Sequence, residues 1–180
     1  MFAQQTVVTS RDVLVRLVPS GTQTIIPGGS FVNLTQALGG SYTVTYNGNM
    51  MRIDGTDADA IGQDSLDFYF EDPDPNGEVR AEEVWDVLST VFDPEIPVNI
   101  VSLGLVYKMD IVKEDDLNVV KVRMTLTAPT CGMGNVLTGD VEFRVKKVPN
   151  VDKVEVDLVF DPPWTRDMMS EEAQIELGLF

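Results

Sequence analysis

Apolar positions recur with two different periods along this 180-residue chain, and the change of period falls near its middle. The first 70 residues show only short alternations. Arg11-Asp-Val-Leu-Val-Arg-Leu-Val18 alternates loosely and stops at Pro19-Ser-Gly21, which predicts a strand and a turn. Thr22–Ile26 predicts a second short strand, ended by Pro27-Gly-Gly29. Phe31–Leu38 fits either a helical turn capped by Gly39 or another strand, and the pattern does not separate the two. Ser41–Tyr46 and Asn49–Asp54 flank Asn47-Gly48, a dipeptide suited to the type I′ hairpin turn. A small β-rich module over residues 1–70 is the expectation. Asp54, Asp57 and Asp59 lack the tight oxygen alternation and distal Glu of a calcium loop, so they predict a solvated turn or helix start.

Glu71-Asp-Pro-Asp-Pro-Asn-Gly77 is rich in proline and acid, and predicts a linker over 71–79. Beyond it the helical period enters. Val84, Trp85, Val87, Leu88, Val91 and Phe92 predict an amphipathic helix of about three turns, stopped at Asp93-Pro94, with Trp85 in the core. Leu105–Ile111 and Val120–Leu126 alternate on either side of the polar loop Lys113–Asn118, predicting a hairpin. Met133, Val136, Leu137, Val141, Val145 and Val148 mark one face of a second helix, closed by Pro149-Asn150. Val154–Phe160 predicts a third strand, and Ser170–Gly178 a last helix capped by Ser170 or begun at Thr165. Residues 80–180 therefore predict an α/β (α+β) domain in the order α-β-β-α-β-α with a small mixed sheet. A right-handed crossover places its third strand parallel to the second.

Composition narrows the function classes. Apolar content of 43% with 23% charged residues is enough to bury a core. The net charge of −16 argues against nucleic acid or an anionic membrane as partner. Residues 1–70 carry 3 basic and 6 acidic side chains and residues 71–180 carry 10 and 23, so two regions of different character are expected. One cysteine excludes an internal disulfide, and the absence of histidine excludes a Cys–His or Ser–His–Asp hydrolase within one chain. The N-terminus has no charged, apolar leader pattern, and Val98–Tyr107 is too short to span a bilayer, so a soluble cytoplasmic protein is expected.

The chemistry concentrates in Thr125-Leu-Thr-Ala-Pro-Thr-Cys-Gly-Met-Gly-Asn135, where Cys131 falls between a predicted strand and a predicted helix. A helix N-terminus favours the thiolate, the form that attacks electrophiles and ligates soft metals. Gly132-Met-Gly134 only weakly suggests a nucleotide turn, because Leu137 stands where a dinucleotide fingerprint needs its third glycine and no Lys or Arg adjoins. Trp164 reads as core, or else as an exposed partner anchor.

Three ordered motifs, Asp93-Pro-Glu-Ile-Pro with Ile100-Val-Ser-Leu-Gly-Leu-Val106, Thr125–Cys131, and Asp161-Pro-Pro-Trp-Thr165, together resemble the metal–sulfur cluster assembly domain shared with PaaD-type proteins. With the module containing Tyr42-Thr-Val44 in front, the resemblance narrows to auxiliary iron–sulfur maturation factors. The resemblance implies a non-enzymatic role in delivering or inserting clusters, in the cytoplasm. It implies a site of Cys131, the metal ligand, with Asp93, Glu95, Thr127 and Thr130 near it. Its partners would be iron–sulfur assembly proteins and client apoproteins. One thiol without imidazole predicts transient handling of iron or an iron–sulfur cluster. Stable holding would need a second subunit, as in a homodimer, a partner's thiols, or the carboxylates of Asp93 and Glu95. Those carboxylates oppose a free thiolate unless a metal or a proton intervenes. Two other readings stand beside this one: a thiol enzyme with Cys131 as nucleophile, and an adaptor whose cysteine is incidental.

Overall fold

Alternating residues of the first 68 positions send one side of each strand into a shared core. The computed structural model describes residues 4–38, 40–93, 96–128 and 134–179, and divides into two units, Met1–Phe68 and Tyr69–Phe180. The first unit is an antiparallel sheet of β1 (Gln5–Val8), β2 (Val13–Leu17), β3 (Gln23–Ile26), β4 (Phe31–Leu38), β5 (Ser41–Tyr46) and β6 (Asn49–Ile53), in the order β1-β4-β5-β6-β2-β3. Val13, Val15, Ile26, Val32, Leu34, Val44 and Ile53 are buried together. Residues 31–38 adopt the strand rather than the helical turn, because β4 pairs with β1 on one side and β5 on the other. Phe31 and Asn33 then point out while Val32 and Leu34 point in. Tyr46 pairs with Asn49 across Asn47-Gly48, with φ of 49° and 79° as a type I′ turn requires.

Of the two expectations for residues 54–61, a solvated turn or a helix start, the structure takes the helix start. Asp54 is buried and caps a 3-10 helix, Gly55–Ile61, whose Gly55, Ala58, Ala60 and Ile61 are buried. Arg11 clamps this helix from outside. Its Nε donates to Asp59 Oδ2 at 2.9 Å, and its Nη2 to Asp59 Oδ1 at 2.7 Å and Asp57 Oδ1 at 3.0 Å. Asp54 thus caps the helix from a buried position, while Asp57 and Asp59 meet Arg11 at its surface.

The second unit is a mixed α/β layer. Helix α1 (Ala81–Leu88) buries Val84, Val87 and Leu88. It has about two turns rather than three, because Ser89 Oγ donates back to Trp85 O at 2.9 Å and Thr90 Oγ1 to Val87 O at 2.6 Å, closing the end four residues before Asp93. Trp85 lies on the rim at 36% exposure, not in the core. β7 (Val106–Glu114) and β8 (Leu117–Met124) form a hairpin that is longer than the polar pattern suggests. Its turn is only Asp115-Asp116, with φ of 51° and 64°, and Glu114 pairs with Leu117. After α2 (Gly134–Val145), β9 (Lys153–Leu158) pairs parallel to β8, giving the order β7-β8-β9. Val120, Val122 and Met124 are buried on one face of this sheet, and α2 lies against β9 and α1. The other face is a lattice of charges in which Lys121 meets Glu114 at 2.6 Å and Glu155 at 3.6 Å, and Arg123 meets Asp157 at 3.6 Å.

The tail braces the first residues of β7 and the loop before it. Tyr107 Oη donates to Pro162 O at 2.7 Å, Trp164 Nε1 donates to Leu103 O at 2.7 Å, and Ser170 N donates to Ser102 O at 2.8 Å. Ser170 Oγ then accepts from Ala173 N, capping α3 (Glu171–Glu176). Among the described residues, no helix is long and apolar enough to cross a membrane.

Candidate functional site

Backbone hydrogen bonds bring three separate stretches side by side at the end of β8. Ile100 N donates to Val91 O (2.8 Å), Leu105 N to Ile100 O (3.0 Å) and Thr125 N to Leu105 O (2.8 Å). On the far side Val159 N donates to Met124 O at 2.8 Å. The stretch that bears Asp93 is thereby tied, through Ile100 and Leu105, to the stretch that bears Thr125 and Thr127.

Asp93 is 5% exposed, its N–H donates to Val98 O at 3.2 Å, and its Oδ1 accepts from Ile96 N at 2.9 Å. That side chain closes the turn of the Asp-Pro-Glu-Ile sequence, so it has a structural role whatever else it does. Next in the chain, Asn99 and Ser102 bond reciprocally, Nδ2 to Oγ at 3.0 Å and Ser102 N to Oδ1 at 2.9 Å, rounding the loop into β7. Thr127 is half-buried, three residues beyond the end of β8. Leu126 is buried and lies 3.1 Å from where a Cβ on Gly134 would stand, so the small residue at the start of α2 lets the helix begin close to the strand end. Glu95, Thr130 and Cys131, all named from sequence, lie outside the described residues. Among the described residues no three His, Cys, Asp or Glu side chains are grouped to hold a metal.

Sequence patterning missed three residues. Thr125 is 1% exposed and its Oγ1 has no hydrogen-bond partner among the described residues. Asp140 and Arg144, four apart on α2, are 2% and 0% exposed. Arg144 Nη1 donates to Thr90 O at 2.6 Å, which anchors α2 to the turn leading to Asp93. The helical count of apolar positions on α2 passes over both. The signal available was the unusual placing of an Asp/Arg pair at the spacing that shares one helix face. Trp164 is half-buried with its indole N–H committed to Leu103, so it braces the fold rather than standing free as an anchor.

The sequence that builds this second unit matches a known class. The family profile described as "Iron-sulfur cluster assembly protein" matches residues 81–158. The chain is 47% identical over 97 residues to the Fe-S protein maturation auxiliary factor of Porphyromonas gingivalis, covering 54% of this chain and 90% of that one. The chain belongs to the iron–sulfur cluster assembly protein family. More particularly, it is 45% identical over 89 residues to the Staphylococcus aureus "Fe-S protein maturation auxiliary factor SufT" (49% of this chain, 98% of that one). It is 39% identical over 102 residues to the Bacillus subtilis "Fe-S protein maturation auxiliary factor YitW" (57% and 97%). Each relative is nearly accounted for by a match about half as long as this chain, so none of the three has room for a counterpart of both units.

Proposed function

We propose that the second unit is an auxiliary factor in iron–sulfur protein maturation, which takes an iron or iron–sulfur unit transiently on Cys131 and passes it to client apoproteins. The observation that carries this reading is the family match across 81–158, which contains Asp93, Glu95, Thr127, Thr130 and Cys131 in order. The chemistry supports it. Helix α2 starts at Gly134, three residues after the cysteine, with no acidic side chain in its first turn, so the helix end favours a thiolate there. The unit or cluster is cargo rather than a resident group, since one thiol per chain leaves most ligand positions to a partner: a second copy, a donor, or the client. Asp93 holds its loop in place, and Glu95, two residues on, supplies a carboxylate within the same motif. The protein acts by handing over, not by turning over a substrate, and it works in the cytoplasm with iron–sulfur assembly proteins and clients.

The test is anaerobic loading of the full chain with ferrous iron and sulfide, read by visible absorption and iron counting, followed by transfer to an apoprotein. Cysteine-dependent uptake is expected, with Cys131→Ser reducing bound iron to background. Equal uptake by Cys131→Ser removes the reading.

A further inference from the structure

β7 is an edge strand, open on the side away from β8. It runs for 9 residues, Val106–Glu114, with neither proline nor glycine to break it. The two-residue turn makes Glu114 and Leu117 a hydrogen-bonded pair, so Lys108, Asp110, Val112 and Glu114 turn their N–H and C=O groups toward β8. Those of Met109, Ile111 and Lys113 face the other way, where no partner stands among the described residues. Met109 and Ile111 lie across from buried Val122 and Val120 yet are themselves only half-buried, and α2 rests against β9 at the far edge. A rim of this kind is a template for one more strand.

Charge selects the strand that fits. The chain carries 13 basic and 29 acidic side chains, but the outer face of this sheet is balanced, with Lys108, Lys121, Arg123 and Lys153 against Asp110, Glu114, Glu155 and Asp157. Two equally acidic copies repel least where each is locally neutral. Lys108 and Asp110 flank Met109, so β7 is its own complement when turned about that residue. Lys108 then stands beside the partner's Asp110, and the same contact recurs on the other side of the two-fold. Within one chain Lys108 lies directly across from Arg123, a like-charge neighbour whose repulsion the partner's carboxylate offsets. We infer that β7 is the interface between two copies of this chain, paired antiparallel about Met109 so that the two three-stranded sheets become one. Residues 106–112 are covered in this register, while Lys113 and the turn stay outside it. The inference stands apart from the maturation reading.

Sedimentation equilibrium of the full chain, from micromolar to sub-millimolar concentration, compares wild type with Lys108→Asp, Asp110→Lys and the double exchange. The two side chains are 63% and 46% exposed, so each variant keeps the chain's own fold. Wild type is expected to approach twice the 19.9 kDa of one chain. Each single exchange sets like charges face to face at both contacts and is expected to weaken association about tenfold. The double exchange restores opposite charges and with them wild-type association. A wild type that stays monomeric overturns the inference. So does a dimer indifferent to the single exchanges, which uses another surface such as the edge of β9. A double variant no better than the singles overturns it as well, because it denies the register about Met109.

Discussion

Gly104 offers the sharpest test of how the loop before β7 is held. Its φ is +74°, and a Cβ there would collide with the carbonyl oxygen of Met168. Gly77 in the same unit has φ +76° with nothing within 4 Å of its would-be Cβ. Replacing either by alanine incurs the left-handed backbone penalty, about 1–2 kcal/mol. Only Gly104→Ala must also push back the segment around Met168, which is tied to residues 102–107 by the bonds of Tyr107, Trp164 and Ser170. Losing one or two of these adds about 1–3 kcal/mol. At roughly 4 °C per kcal/mol for a unit of this size, Gly104→Ala is expected to lower the melting midpoint by about 8–20 °C and Gly77→Ala by about 4–8 °C. Both tryptophans, Trp85 and Trp164, belong to the second unit, so thermal unfolding followed by tryptophan fluorescence reports on it selectively. Equal losses for the two variants would show that the approach of Met168 to Gly104 does not constrain the loop.

Two further outcomes follow from named contacts. Arg144→Met is expected to destabilise the second unit by about 2–4 kcal/mol, measured by urea unfolding, because it leaves the Thr90 carbonyl without this donor and removes a buried cation one helical turn from buried Asp140. In the first unit the Arg11 guanidinium holds Asp59 below its ordinary carboxylate value of 3.8. A depressed folded value contributes stability above 3.8 that is lost as pH falls through the lower folded value, and Arg11→Gln should flatten this acid limb in urea midpoints taken across it. The change should be small and salt-sensitive, since Asp59 is 52% exposed.

The legible parts of this chain are those where one local signal admits one structure. Asn47-Gly48 announced a tight hairpin because asparagine and glycine accept positive φ, and the strand–helix–strand run of 120–158 implied the parallel pairing of β8 and β9. Asp115-Asp116 makes an equally tight turn without glycine, so Lys113–Asn118 read as a loop although four of its six residues continue the strands. α1 read long because Val91 and Phe92 keep the apolar rhythm. The hydroxyls of Ser89 and Thr90 end the helix, an effect of side-chain hydrogen bonding that hydrophobic periodicity does not register. At the site, Asp93 was legible through its motif, but its hydrogen bond to Ile96 was not. Arg144 was invisible because burial of a guanidinium depends on where the Thr90 carbonyl ends up, a fact of packing that lies 54 residues away in the chain.

The parallel pairing of β8 with β9 has a kinetic corollary. Residues 125–152, thiol motif and α2 included, form the loop that this pairing closes, whereas β7 and β8 zip through a two-residue turn. Loop closure over such a span is entropically slower than hairpin formation. On the way to the native state the hairpin therefore precedes the parallel pairing, and in the native state β9 can detach transiently while the hairpin stays intact. Amide hydrogens of β9 should accordingly exchange before those that join β7 to β8.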